Sequence, residues 1–302
     1  MPRPGLSPYP GWYSGDNARL FRLMSVFLNL AADYIEPDMI EGITGGDGSM
    51  TEFAYAQIAA AACGLDVAGD SGDRRFFRER FAGMFKRLDT SAFTSDPYYR
   101  NIRLPEGTLS GGRFSFGMKT CRAYEAFVRD DPEIVRGRGG ELLVTPRIGF
   151  FTEDYPYPAV FEDGREWMTL MPNETVTSAF AVERAHGRVL TYGLGLGYFS
   201  YMASEKPSVA SVTVVERSPE VIAIFREHIL PQFGNRDKIE LIESDAFDYA
   251  EHRAPGERFD TVFCDIWHDP SDGVELYLRF KELETQGPEY IYWLEDTLKL
   301  YL

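Results

Sequence analysis

Between residues 187 and 269, short apolar runs rich in β-branched residues alternate with stretches whose apolar residues recur at helical spacing. The strand-like runs are Arg188–Tyr192, Val212–Glu216, Ile239–Ile242 and Phe259–Asp265. This rhythm predicts right-handed crossovers and a mostly parallel sheet with helices on its faces, which is the doubly wound, Rossmann-like α/β class. Because 37 residues follow Asp265, we expect the sheet to stop at about five strands. The segment 289–298 reads as a strand, a helix, or one followed by the other.

The upstream half of the chain has a different pattern. Residues 17–88 predict mainly helices, at 20–35, 54–62 and 74–88, with glycine- and aspartate-rich turns at 45–48 and 69–73. Residues 141–171 predict short strands at 141–145, 148–151, 159–161 and 167–171, with a hairpin turn at Asp163-Gly164. Asn173 is expected to cap a helix over 174–186 that Gly187 ends. We therefore expect a helical and β-strand module at 1–173 and an α/β domain at 174–302.

Three alternating glycines follow the first of the apolar strands. They are Gly193, Gly195 and Gly197. Without a Cβ atom the backbone can turn sharply and approach a ligand closely, although such turns also end strands for purely structural reasons. Ligands of doubly wound sheets bind outside the carboxyl ends of the strands. We therefore expect Glu216, Asp245 and Asp265, which follow the next three strands, to converge on this loop.

Each of these carboxylates has a chemical use at that edge. Glu216 lies 19 residues after Gly197, a spacing at which a strand-end carboxylate accepts hydrogen bonds from a ribose diol; the alternative is a solvated strand end. Asp245 is suited to an adenine amino group, with Ala246 beside the ring, or to capping a helix. Burial would raise the pKa of Asp265 and suit it to orient or deprotonate a nucleophile.

The run Asp265-Ile-Trp-His-Asp269 places an acid, an indole and an imidazole directly after the fourth strand. His268 is a candidate general base, and Trp267 a candidate aromatic wall for a cation. The alternative for His268 is a hydrogen-bonded or exposed loop residue.

Taken together, residues 174–269 resemble a class I S-adenosylmethionine-dependent methyltransferase core, and within that superfamily the spermidine-synthase-like branch. The resemblance rests on the 193–197 loop, Val214–Glu216, Glu243–Phe247 and Phe259–Asp265. It implies S-adenosylmethionine as the cofactor, with the ribose on Glu216, the adenine on Asp245 and the methionine portion at the glycine loop. It also implies that the small β-module helps to close a substrate pocket. Trp167 and Glu174 would then face the substrate; otherwise they are a core aromatic residue and a helix-start charge.

Two departures from the family pattern refine the expected function. Thr191 stands where methyltransferases commonly have an acidic residue, and Leu196 stands where aminopropyltransferases have an aspartate. The favoured function is methyl transfer to a small molecule, an amine among the candidates. The alternatives are an aminopropyltransferase-like alkyl transfer and a non-catalytic protein that binds an adenosyl ligand. A nicotinamide dehydrogenase is disfavoured because Tyr198 replaces the Gly or Ala of its glycine motif.

Composition narrows the class of partner. The chain has 31 basic and 47 acidic residues, a formal net charge of −16, so we expect no nucleic-acid binding. Three distant cysteines and four scattered histidines predict neither a disulfide framework nor a metal site, and favour a cytoplasmic location. The apolar run 20–35 contains Arg22 and Asp33, which favours an amphipathic helix over a membrane span. The oligomeric state stays open, a homodimer included.

Overall fold

The structure of this protein, a computed structural model, describes residues 11–104, the backbone of 107–108, and residues 113–302. They fall into two compact units. The first consists of the chain up to Ala92 together with Thr120–Pro156, and the second of Phe93–Lys119 and Tyr157–Leu302. These units divide the chain at other positions than 173/174, and the functional boundary expected there stays a prediction.

The helices and strands are numbered along the chain. The helices are α1 Gly15–Leu30, α2 Pro37–Thr44, α3 Thr51–Ala62, α4 Ser71–Phe76, α5 Thr90–Thr94, α6 Pro97–Asn101, α7 Pro172–Arg184, α8 Tyr198–Ser204, α9 Pro219–Ile224, α10 Ala246–His252, α11 Pro270–Glu282 and α12 Glu295–Lys299. The strands are β1 Phe85–Leu88, β2 Gly107–Thr108, β3 Phe114–Cys121, β4 Phe127–Arg136, β5 Leu142–Phe151, β6 Tyr155–Glu162, β7 Arg165–Thr169, β8 Gly187–Tyr192, β9 Val209–Glu216, β10 Ile239–Glu243, β11 Thr261–Cys264 and β12 Glu289–Tyr292.

The first unit packs helices α1 to α4 with a three-stranded sheet in the order β1-β5-β4. Its core is aromatic: the rings of Tyr55 and Phe150 stack with centroids 3.8 Å apart. The helix predicted over 20–35 ends at Leu30, whose side chain is exposed. The helix predicted over 74–88 is also too long. Its last four residues form β1, which pairs in parallel with β5 and buries Phe85.

The second unit is built on a five-stranded sheet in the order β10-β9-β8-β11-β12, with every pair parallel. Its three inner strands, β9, β8 and β11, are buried on both faces. Val189, Val212 and Phe263 pack with residues of α7, α8 and α9 on one face. Residues one position along each strand pack with α10, α11 and α12 on the other. The structure thus confirms the doubly wound α/β class and the five strands, and the 289–298 segment is a strand followed by a helix.

A smaller sheet, in the order β2-β3-β6-β7, precedes α7. Asp163 and Gly164 turn between β6 and β7 with φ values of +49° and +76°, so the predicted hairpin is confirmed. β3 and β4 were not predicted, and the two strands predicted at 141–145 and 148–151 form the single strand β5.

The helix before the five-stranded sheet starts two residues earlier than predicted. Pro172 takes its first position, and the Asn173 side chain lies 3.4 Å from Glu174 Oε1 instead of capping the helix. Proline fits there because the first helical N–H needs no partner within the helix. Gly187 does not end this helix either: α7 ends at Arg184, and Gly187 opens β8 with φ +63°.

Candidate functional site

A cavity of about 470 Å³ opens at the carboxyl ends of β8, β9 and β11 in the second unit. The chain passes from β8 outward to β9 and β10, then returns to the other side of β8 to form β11. The cavity therefore lies at the topological switch point, where doubly wound sheets bind their ligands. The candidate site residues on its wall are Trp167, Glu174, Gly193, Gly195, Glu216, Asp245, Ala246, Asp265, Trp267 and His268.

The glycine loop is shaped by close packing. A Cβ atom on Gly193 would lie 2.0 Å from the Asp265 carbonyl oxygen, and one on Gly197 would lie 2.3 Å from the Phe225 ring. All three glycines have positive φ, which side chains other than glycine rarely tolerate. Gly193 and Gly195 lie on the cavity wall, whereas Gly197 packs against Phe225, the residue that follows α9. The loop thus presents its backbone at residues 193–195, which we call the glycine cradle, on the cavity wall.

Glu216 is held by two backbone amides. Its Oε1 atom accepts from Ser218 N at 2.8 Å, and its Oε2 atom accepts from Leu194 N at 3.2 Å. These hydrogen bonds fix the carboxylate at the end of β9 and tie it to the glycine loop. A carboxylate in this orientation keeps lone pairs for two further donors, because each oxygen accepts more than one hydrogen bond.

Asp245 caps a helix and also lies on the cavity wall. Its Oδ1 atom accepts from Phe247 N at 2.9 Å and from Asp248 N at 3.1 Å, so the residue caps α10. The same residue lies on the cavity wall beside buried Ala246. The cap sets the direction of the carboxylate, and the alanine adds an apolar surface next to it.

Asp265 and Glu174 form an acidic pair on the opposite side of the cavity. Burial raises the pKa of Asp265 to about 8, with a further contribution from the Glu174 charge. Burial raises the pKa of Glu174 to about 7. Among the described residues, neither a hydrogen bond nor an ion pair involves the Asp265 side chain. The pair therefore retains a proton near neutral pH and favours a cationic neighbour.

Trp267 and His268 have contrasting surroundings. The Trp267 side chain is 4% exposed, and its Nε1 atom donates to the Trp293 carbonyl at 3.2 Å, so it is both core residue and cavity wall. The His268 side chain is 77% exposed, and its Nδ1 atom lies 3.0 Å from Asp272 Oδ2. Asp272 belongs to the capping box that starts α11. His268 is thus attached to a helix start at the rim of the cavity.

Strand β7 supplies the wall that faces the glycine loop. Trp167 packs against Phe114 with ring centroids 5.1 Å apart, and the position of a Cβ on Gly195 is 3.7 Å from Met168 Sδ. Several further residues on the wall were not predicted, among them Met168, Arg217 and Trp293. Arg217 follows Glu216 directly, so its position could have been inferred. Trp293 lies in the segment whose structure the sequence left open.

No protein-family model and no curated protein sequence matches the chain. Among solved structures, it is similar to the O-methyltransferase from Bacillus cereus in complex with SAH, at 19% identity and a TM-score of 0.30 over 38% of this chain and 53% of that one. A putative O-methyltransferase from Klebsiella pneumoniae shares 21% identity at a TM-score of 0.30, over 38% and 52% of the two chains. A putative SAM-dependent methyltransferase from Streptococcus mutans shares 17% identity at 0.36, over 48% and 43%.

The chain spans about half the length of these structures. Across the described residues, no helix combines the length and apolar character needed to cross a bilayer. Within the same residues, no three His, Cys, Asp or Glu side chains are grouped so as to hold a metal ion.

Proposed function

We propose that the switch-point cavity binds S-adenosylmethionine and that the protein transfers a methyl group to a small molecule. The observation that carries the proposal is that three features of the chain line one cavity. The glycine cradle, the amide-held Glu216 and the capping Asp245 all face it. Their chemistry matches, in order, a methionine portion, a ribose diol and an adenine.

The residues present fit this cofactor. Glu216 would accept hydrogen bonds from the two ribose hydroxyls, and Asp245 from the adenine amino group, with Ala246 against the ring. Gly193 and Gly195 lie on the cavity wall and would let the methionine portion approach the backbone, since neither carries a side chain. When bound, the cofactor supplies an electrophilic methyl group on its sulfonium.

The chain's own residues would then bind and orient the acceptor. Asp265, in its ionised form, would accept the proton that a neutral nucleophile loses on methylation. Glu174 adds negative charge to the same wall, which favours an acceptor that arrives as a cation, such as a protonated amine. Ionised Asp265 would take the ammonium proton first, so that the neutral nitrogen has a lone pair with which to attack the methyl group. Trp167 and Trp267 offer aromatic surfaces to that cation. His268 would assist proton transfer at the rim.

Calorimetric titration tests the cofactor assignment. S-adenosylmethionine and S-adenosylhomocysteine are expected to bind, and NAD is not. Glu216→Gln is expected to weaken the binding of both adenosyl compounds. Glu243→Gln is its matched control, because Glu243 ends the neighbouring strand β10 outside the cavity wall. Tight NAD binding, without a response to either adenosyl compound, would contradict the proposal. Binding without methyl transfer to any acceptor in an amine screen would indicate a non-catalytic adenosyl-binding protein.

One observation favours a second candidate, an aminopropyl transfer. The uncompensated pair Glu174 and Asp265 would attract the cationic tail of decarboxylated S-adenosylmethionine. Against it, buried Leu196 occupies the loop position where an aspartate would meet the aminopropyl amine. We therefore expect the intact cofactor to bind at least as tightly as the decarboxylated one. A preference of about tenfold for the decarboxylated form, about 1.4 kcal/mol, would favour aminopropyl transfer instead.

The remaining expectations are part of this proposal. Residues 1–173 would act as the substrate and lid module, and 174–302 as the cofactor domain. With a net charge of −16, the protein should not retard duplex DNA or structured RNA in a gel-shift assay at physiological salt. A cytoplasmic location and a homodimer are tested by fractionation and by light scattering.

A further inference from the structure

Tyr98 touches the glycine loop on the side away from the cavity. It lies in α6, is 1% exposed, and its hydroxyl donates a hydrogen bond to the Leu196 carbonyl, 98 residues along the chain. Tyr98 does not line the cavity, so any effect on a ligand there must pass through the loop.

The hydrogen bond acts on one peptide unit. The Leu196 carbonyl and the Gly197 N–H belong to the same planar group and point in opposite directions. Gly197 N donates to the Leu194 carbonyl at 2.8 Å, so both ends of this peptide are held. Rotation of the peptide would change φ of Gly197, and glycine accepts either sign of φ at little steric cost. The steric preference of glycine therefore does not select this orientation; the two hydrogen bonds do, and the Tyr98 hydroxyl supplies one of them.

The surroundings of the Tyr98 side chain hold its ring in place and keep its hydroxyl a hydrogen-bond donor. Its ring packs edge-on against Tyr201 at 5.5 Å and at a tilt against Tyr198 at 5.6 Å. Burial, with a smaller contribution from Asp96, raises the pKa of Tyr98 well above its usual range, which keeps the hydroxyl protonated. Asp96 caps α6 and also accepts from the Tyr198 hydroxyl at 3.0 Å, which links the two helices a second time.

We propose that Tyr98 is a positioning residue that presets the 196–197 peptide, and with it the glycine cradle, for the adenosyl ligand. The inference rests on the proposed function, because the ligand at the cradle is the one assigned there. Its consequence is that the Tyr98 hydroxyl, which lies outside the cavity, contributes to the affinity for the ligand inside the cavity.

Paired hydroxyl deletions test the role. Tyr98→Phe removes the donor to the loop and keeps the ring. Tyr201→Phe removes a hydroxyl from the same contact between α6 and α8. The Tyr201 hydroxyl accepts a hydrogen bond from Asn101 Nδ2 at 2.8 Å and does not contact the loop. S-adenosylhomocysteine affinity should fall about tenfold in Tyr98→Phe and stay within about twofold of wild type in Tyr201→Phe, at a temperature where all three proteins are fully folded. Equal losses in both variants, or none in Tyr98→Phe, would overturn the proposal.

Hydrogen exchange separates this role from a merely structural one. In the free wild-type protein, the Gly197 amide should exchange as slowly as amides within β8, and Tyr98→Phe should accelerate it selectively. Fast exchange in the free wild-type protein that slows only with S-adenosylhomocysteine would overturn the proposal, even if Tyr98→Phe does not fold. If wild type binds no adenosyl compound, the proposed function fails, while slow exchange of Gly197 would still support a preset loop.

Discussion

The carboxylates on the two sides of the cavity have opposite surroundings. At the ends of β9 and β10, Glu216 and Asp245 each accept two hydrogen bonds from backbone amides. At the end of β11, Asp265 lies near Glu174, and the pKa values of both carboxyls are raised by burial. On the first side, hydrogen bonds from backbone amides stabilise the charged carboxylates and fix their positions. The second side keeps acidic groups where they are poorly solvated.

Under the proposed function, this difference gives the two sides different tasks. Amide-held carboxylates are ordered before a ligand arrives, as recognition of a rigid ribose and adenine requires. Carboxyls with raised pKa values can gain or lose a proton near neutral pH, as proton transfer to or from an acceptor requires. We therefore expect substitutions on the first side to change cofactor affinity, and substitutions on the second side to change turnover.

The largest expected effect is on turnover. Asp265→Asn should lower kcat by about 100-fold or more, the usual contribution of a general base. S-adenosylhomocysteine affinity should change by less than about threefold. Asp269→Asn is the matched control, because Asn retains the cap that Asp269 provides for α11. An unchanged kcat in Asp265→Asn would remove the catalytic role from this side.

On the recognition side, Glu216→Gln should weaken S-adenosylhomocysteine about tenfold, because an amide offers one acceptor oxygen where the carboxylate offers two. With the acceptor and cofactor both saturating, kcat should change much less. Isothermal titration and initial rates measure the two effects separately. A loss of kcat with unchanged affinity would reverse the assignment of the two sides.

A smaller effect concerns stability and pH. A carboxyl whose pKa is higher in the folded than in the unfolded protein destabilises the fold progressively as pH rises from about 4, its unfolded value. For Asp265 this loss continues to about pH 8. Asp265→Asn should therefore melt about 1–3 °C above wild type at pH 8, with the difference vanishing near pH 4. A constant difference across this range would show that the Asp265 pKa is not raised.

The smallest effect is expected at the rim. His268 is exposed and bonded to Asp272 at the start of α11, so His268→Ala should lower kcat by less than about threefold and leave affinity unchanged. Initial rates across pH 6 to 8 measure this. A loss as large as that of Asp265→Asn would make His268 a principal general base.

The sequence predicted the recognition side better than the acidic pair. β8, β9 and β11 are buried on both faces, so their continuous apolar runs are visible in the sequence. The environment of Glu174 was not predictable in this way. It occupies the first turn of a helix, where acidic residues are usually solvated, and only packing around the cavity buries it.

The missed strands have separate causes. β4 carries charged residues and Pro132 in its middle, which hides the strand pattern. β3 does alternate, burying Phe114 and Phe116 while Ser115 and Gly117 are partly exposed, so that signal was present in the sequence. Tyr98 could not have been predicted, because its contact with Leu196 spans 98 residues.

The central claim is that an adenosyl ligand binds at the switch point with its ribose on Glu216. The most direct measurement is a crystal structure of the protein with S-adenosylhomocysteine. The account predicts the ribose hydroxyls on Glu216, the adenine beside Ala246 and Asp245, and the sulfur between the glycine loop and Asp265. S-adenosylhomocysteine bound elsewhere, or bound in this cavity with its ribose away from Glu216, would contradict the account.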